Sequence, residues 1–160
     1  MKNDFEFLQT IVAKLKKADI PCVVFGGWAE ELSDAIPPRP HGDVDLLYIA
    51  DDFKNVDRFL KREPDIEEIK AKHFPHKRAF VFDGIAVELL LVSRKGTKLL
   101  TNFWDEYELR WPEIHPIKMK NASNKQGVEV CPPNIVSYYH QHEKQIAEVR
   151  ARHLLNSLTS

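Results

Sequence analysis

The sequence predicts an α+β fold: a mixed β-sheet with helices packed on it, closed by a C-terminal helix. Three observations carry this prediction. Short strand-like apolar runs alternate with amphipathic helical stretches in the N-terminal part of the chain. The turn pair Asp83-Gly84 then stands between two further apolar runs, and from Pro132 the apolar residues return to helical spacing.

Residues 4–18 set Phe5, Leu8, Ile11, Val12 and Leu15 on one helical face. Lys14, Lys16 and Lys17 fall toward the end, where cations meet the negative pole of the helix. Pro21 stops this helix, and residues 22–25 (CVVF) read as a short strand that Gly26-Gly27 breaks. WAEELSDA can form a short helix after the glycines. Pro37, Pro38 and Pro40 then make a rigid loop, since proline supplies no backbone donor.

Residues 43–49 form the next strand. Asp51 and Asp52 cap a helix whose inner face carries Phe53, Val56, Phe59 and Leu60. Residues 78–82 and 85–92 are the arms of a hairpin across Asp83-Gly84. The segment from 93 to 131 carries scattered aromatics and the turn-like NASNKQG without a clear period. From Pro132 one helix is expected to about residue 156, with Ile135, Tyr139, Ile146 and Val149 on its inner face. The expected organisation is a core over residues 1–95 and a C-terminal region over 96–160 packed on it as one compact domain.

The chain has 160 residues, of which 43% are hydrophobic and 29% charged, with a formal net charge of -1. That is enough chain to bury a core, and no global positive field draws it to nucleic acid or to a membrane surface. A nucleic-acid partner is therefore not expected. Cys22 and Cys131 form no CxxC pair, and Cys22 reads as a reduced, buried thiol. No apolar stretch approaches a membrane span and the N-terminus lacks a signal-peptide core, so the expected location is cytoplasmic.

The chemistry concentrates in GGWAEELSDAIPPRPHGDVDLL, residues 26–47. Residues two apart on a strand share a face, so Asp43 and Asp45 point together while Val44 and Leu46 point into the core. Two carboxylates this close repel each other unless a cation lies between them. Hard Mg²⁺ prefers carboxylate oxygens and leaves room for phosphate oxygens. Glu88 interrupts the apolar run IAVELLLV and needs a partner or a task. Beside the first strand it can join the same metal cluster or take a proton from a substrate hydroxyl. Gly26 and Gly27, lacking side chains, let a triphosphate approach the backbone, and Arg39 and His41 add charge beside it.

The order of a glycine pair, a DVD strand and a carboxylate on a later strand resembles the nucleotidyltransferase superfamily with the DNA polymerase β-like fold. GGWAEEL followed by RPHGDVDLL is similar to its small antibiotic nucleotidyltransferases, the lincosamide enzymes and the aminoglycoside 2''-adenylyltransferases. Gly26, Gly27, Trp28, Arg39, His41, Asp43 and Asp45 match, and Glu88 falls where the third carboxylate is expected. The resemblance implies an Mg²⁺-dependent transfer of a nucleoside monophosphate from a nucleoside triphosphate, ATP by preference, to a small hydroxylated acceptor. Asp43, Asp45 and Glu88 would be the metal and catalytic residues; Gly26, Gly27, Trp28, Arg39 and His41 would bind nucleotide. It also admits a homodimer, since small relatives can complete their acceptor cleft with a partner subunit.

Two departures stand out. Glu30 and Glu31 occupy positions where similar sequences often have aspartate. The last helix has Lys144, Arg150 and Arg152 but no aspartate after a basic residue, so the basic role could fall to Arg150 or Lys144. The acceptor side is left open. KHFPHKRAF, with His73, His76, Lys77 and Arg78, reads as a solvated strand end in preference to a substrate contact, and its proline-broken HxxH lacks the geometry of a zinc pair. Trp104, Tyr107 and Trp111 read as core packing in preference to a pocket wall. The alternatives to a small-molecule enzyme are a toxin-type nucleotidyltransferase acting on tRNA or protein, and a non-catalytic nucleotide-binding module.

Overall fold

The structure, a computed structural model, describes residues 2–34, 36–121 and 124–159. Helix α1 (Phe5–Lys17) begins where the Asp4 carboxylate accepts the Phe7 N–H at 2.9 Å, and it buries Leu8, Ile11 and Leu15 on the sheet. Strand β1 (Cys22–Phe25) is buried along its whole length. It leads directly into α2 (Gly26–Leu32), so the glycines open the helix rather than separate strand from helix. Strand β2 (Asp43–Ile49) and helix α3 (Lys54–Arg62) follow. Asp52 accepts the Lys54 N–H at 2.9 Å, whereas Asp51 makes no such cap among the described contacts.

Strand β3 (Ile66–Glu68) and a 3₁₀ turn at Lys70–Lys72 precede the hairpin of β4 (Lys77–Phe82) and β5 (Ile85–Lys95). Asp83 and Gly84 both have positive φ, 50° and 79°, as a tight two-residue hairpin turn requires. The unread segment folds into β6 (Lys98–Phe103), β7 (Tyr107–Trp111), β8 (Ile117–Asn121) and β9 (Asn124–Val130). The tip of the turn read at NASNKQG, residues 122 and 123, lies outside the described residues. Asn121 pairs with Asn124 on either side of it.

The sheet runs β3-β4-β5-β2-β1-β9-β8, with β6 added to the far end of β5 and β7 to β6. It is mixed: β2 pairs with β5 in parallel, while β1–β2 and β4–β5 are antiparallel. Strand β9 joins beside β1 in parallel, with the Cys131 N–H on the Val24 carbonyl at 2.9 Å. One apolar core links α1, the sheet and the C-terminal helices, from Phe7 to Ile146.

The expected single last helix is two, α4 (Pro133–His140) and α5 (Glu143–Thr159). No proline or glycine marks the break. The turn lets Tyr139 lie on Trp111, rings 6.0 Å apart and 4° from parallel, while Ile146 and Val149 still reach the core. Packing overrides local propensity here. The solvated reading of KHFPHKRAF is also corrected. Arg78 is buried, donates to both carboxylate oxygens of Asp57 at 2.7 and 3.2 Å and covers the Phe53 ring at 4.5 Å. His76 is buried as well. Both cysteines are free and buried, and burial pushes both thiols up, Cys131 to about 12. Among the described residues no helix is long and apolar enough to cross a membrane.

Candidate active site

Parallel pairing of β2 and β5 sets Asp45 opposite Glu88 in register, with Asp43 two residues before Asp45 on the same face. One oxygen from each of Asp43, Asp45 and Glu88 lies within 4.8 Å of the others. The alternate residues Val44, Leu46, Val87 and Leu89 are buried on the opposite face, which locks this register. A one-residue slip would turn all three carboxylates into the core.

The charges in this cluster oppose one another. Burial first, then the charges of Asp43 and Glu88, pushes Asp45 up to about 7. Asp43, the least enclosed of the three, is raised by burial and then by Glu88. For Glu88, burial acts upward but the opposing cations win and hold it below the usual glutamate value. Lys72 Nζ and Lys77 Nζ both reach Glu88 Oε1, at 3.1 and 3.3 Å. Three converging carboxylates, one of them driven toward protonation by burial and by the charges of the other two, are a donor set that a hard divalent cation fits.

The glycine pair packs directly against this cluster. Gly26 has φ +62°, and a Cβ there would lie 2.5 Å from Asp45 Oδ2. Only glycine satisfies both demands. A Cβ on Gly27 would lie 2.9 Å from Arg39 Nη2 and 3.0 Å from His41 Nδ1. Arg39 and His41 therefore press on the glycine turn, and Glu31 holds them there. Its Oε1 accepts the Arg39 N–H at 3.0 Å and meets His41 Nε2 at 3.0 Å. Trp28 is buried, its ring 4.3 Å from that of His41, and its N–H goes to Asn3 Oδ1 at 3.1 Å. Asn3 in turn donates to the carbonyls of His41 and Asp43, at 3.0 and 2.9 Å.

A cleft of about 330 Å³ opens over the carboxylates. Among the described residues its wall includes Gly26 and Gly27 but not Trp28, Arg39 or His41, which buttress the turn from behind. Opposite the sheet the wall is closed by Tyr139, His140, Glu143 and Arg150 from α4 and α5. Lys77, His76 and Trp104 complete it. Of the basic residues left open in the last helix, Arg150 faces the cleft. Arg152 instead pairs with Glu106 at 2.7 Å.

Sequence reasoning missed Lys72 and Glu143, and it set His76, Lys77 and Trp104 aside. The available signal was the hairpin register. Once Asp83-Gly84 is the turn, Ala79 falls opposite Glu88 and Lys77 two residues further along the same strand. Nothing local to the sequence announces that α4 and α5 fold back over the strands' ends.

The fold is that of the nucleotidyltransferases. The lincosamide antibiotic adenylyltransferase LnuA, solved with lincomycin bound, superposes with a TM-score of 0.68 at 9% identity, covering 94% of this chain and 98% of that one. ANT(2")-Ia, solved in complex with adenylyl-2"-tobramycin, gives a TM-score of 0.58 at 12% identity, over 87% of this chain and 76% of that one. TM1012 from Thermotoga maritima, proposed to be a nucleotidyltransferase, gives 0.55 at 16% identity, over 96% and 91%. No protein-family model matches the sequence, and no curated protein is significantly similar to it.

Proposed function

We propose that this chain is a nucleotidyltransferase that moves a nucleoside monophosphate from a nucleoside triphosphate, ATP by preference, to a hydroxyl of a small acceptor. The observation that carries the reading is the Asp43, Asp45 and Glu88 trio pressed against the Gly26 turn inside one cleft. LnuA and ANT(2")-Ia, whose fold this chain shares, act on a lincosamide and an aminoglycoside. Either class is a reasonable first acceptor, and resistance to such an antibiotic is the corresponding biological role.

Asp43, Asp45 and Glu88 would hold Mg²⁺, which would neutralise phosphate charge and leave the α-phosphorus open to attack. Gly26 and Gly27 would let the triphosphate approach the backbone, with Arg39 adding positive charge at the turn. Arg150, which makes no ion pair among the described residues, is the cation best placed to meet the phosphates from the helical side. Glu88, held as a carboxylate by Lys72 and Lys77, would accept the acceptor's hydroxyl proton. The hydroxyl oxygen forms its bond to the α-phosphorus while the bond to the bridging oxygen breaks, and pyrophosphate departs with that electron pair.

Incubation with each nucleoside triphosphate, Mg²⁺ and a panel of hydroxylated antibiotics, followed by pyrophosphate release, tests the reading. Transfer that depends on Asp45 is the expected result. Triphosphate binding without release of pyrophosphate to any acceptor would make the chain a binding module instead.

A further inference from the structure

The sheet order gives the cleft two ends. Strand β1, which delivers Gly26, lies on one side of β2; β5 and then β4, which deliver Glu88 and the His76-Lys77 pair, lie on the other. The carboxylates therefore stand between the glycine turn and a wall made by His76 and Trp104. On the nucleotidyl-transfer reading, on which this inference rests, phosphates at the glycines send pyrophosphate out on the β1 side. In-line displacement then brings the attacking hydroxyl from the β4 side, where Glu88 waits.

His76 is built for a contact. It is 2% exposed, enclosed by the rings of Phe103 at 5.0 Å, Phe74 at 5.6 Å and Trp104 at 4.4 Å. The Trp104 backbone N–H donates to its Nδ1 at 3.2 Å, which leaves the ring proton on Nε2. Among the described residues Nε2 has no partner, and no fully enclosed side-chain polar atom lacks one, so Nε2 is the atom that meets the cleft. Burial first, then the charges of Lys77, Arg150 and His153, drives the imidazole down to about 3 and keeps it neutral. The result is a fixed, uncharged N–H donor at the cleft wall.

Trp104 adds a second, independent observation. It sits at the tip of the β6–β7 hairpin with φ +52°, followed by Asp105 at +57°. The loop has three residues, 104–106, with the Glu106 N–H on the Phe103 carbonyl at 3.0 Å. Consecutive positive-φ positions inside such a turn favour Asn and Gly, and a bulky residue there is an outlier. The strained placement brings a half-buried indole into the cleft beside His76. Backbone strain of this sort gathers at ligand-binding positions.

We infer that His76 and Trp104 form the acceptor subsite, and that it takes a saturated, hydroxyl-bearing ring of the sugar type. The apolar C–H face of the ring lies on the Trp104 indole, and one of its oxygens accepts the His76 Nε2–H. This arrangement turns a second hydroxyl toward Glu88.

The test compares Trp104→Ala, His76→Phe and His76→Gln with the parent protein, using Mg·ATP as donor and lincomycin and tobramycin as acceptor probes. Trp104→Ala raises the acceptor KM at least about tenfold while the KM for ATP stays within about twofold. His76→Phe keeps the ring stacking and loses the donor, so it raises the acceptor KM several-fold; His76→Gln, with an amide N–H, recovers part of the loss. Thermal melts identify any variant that fails to fold, and Trp104→Ala, at a half-buried turn, supplies the result if the buried His76 variants do not. Variants that raise the KM for ATP instead overturn the placement. Mg·ATP bound by the parent with neither probe bound or modified overturns the sugar-type acceptor and leaves the donor reading standing. A parent protein that does not bind Mg·ATP at all removes both.

Discussion

Asp45 on β2 is the direct register partner of Glu88 on β5 across a parallel pair, so two carboxylates that are 43 residues apart in sequence share one face of the sheet. Both are half-buried, and after burial itself the charges of Asp43 and then Glu88 are the electrostatic cost of ionising Asp45. That cost is expected to be visible in experiments on metal binding, pH and single substitutions.

Replacing Asp45 by Asn should lower turnover by about 10²–10³-fold, the loss expected when a metal-binding carboxylate worth several kcal/mol is removed. In metal-free protein the same change should raise stability by about 1 kcal/mol or more, because a repelled buried charge disappears. Pyrophosphate release and chemical denaturation measure the two effects. A variant with parental turnover would remove Asp45 from the site.

The pH dependence has a definite sign. Asp45 is raised from 3.8 to about 7, so the stability tied to its proton is fully present below pH 3.8 and lost as pH rises through about 7. His76 runs the other way: lowered from 6.5 to about 3, it contributes stability that is present above pH 6.5 and lost as pH falls toward 3. The two slopes oppose each other between about pH 4 and 6.5, leaving Asp45 unopposed near neutrality. A divalent cation competes with the Asp45 proton, so added Mg²⁺ should raise Tm more at pH 8 than at pH 5. Thermal melts with and without Mg²⁺ at the two pH values check this, and an equal rise at both would contradict it.

Lys77→Met should move the acid limb of the kcat/KM profile to higher pH. Lys77 and Lys72 are what hold Glu88 below its ordinary value against burial. Removing one lets burial prevail, so the loss of activity should be greater at pH 6 than at pH 8. A uniform loss across the profile would mean that Lys77 acts on substrate rather than through Glu88.

Gly26→Ala should cost about 1–2 kcal/mol from its left-handed backbone alone, and more because the new methyl would lie 2.5 Å from Asp45 Oδ2. It should also weaken Mg²⁺ binding by displacing that carboxylate. Gly27→Ala should be milder, since its nearest neighbour is the flexible end of Arg39. Denaturant melts and Mg²⁺ titrations of the two variants give the comparison, and equal effects at both positions would contradict it.

Much of the fold was legible because local chemistry is strong there. The α1 stripe, the apolar β1, the period-two pattern of β2 and the Asp83-Gly84 turn each specify an element from neighbouring residues. The trio was legible for the same reason: a charged residue between buried apolar ones, as at Asp45 and Glu88, marks a strand face given over to chemistry. The strands from β6 to β9 were not. They are short, and three of them lie toward the margins of the sheet; YELRW (107–111) and IKMK (117–120) do alternate, but over only four or five residues each.

Sequence alone determined which residues make the acidic face, because strand periodicity puts Asp43 and Asp45 together and isolates Glu88 among apolar neighbours. Tertiary structure decided what surrounds that face. Parallel pairing brought Glu88 beside Asp45, the hairpin carried Lys77 to Glu88, and Glu31 fixed His41 and Arg39 behind Gly27. The break between α4 and α5 let Tyr139 pack on Trp111 while Arg150 reached the cleft. These contacts join residues tens of positions apart, and they depend on how the elements bury apolar surface together rather than on any local pattern.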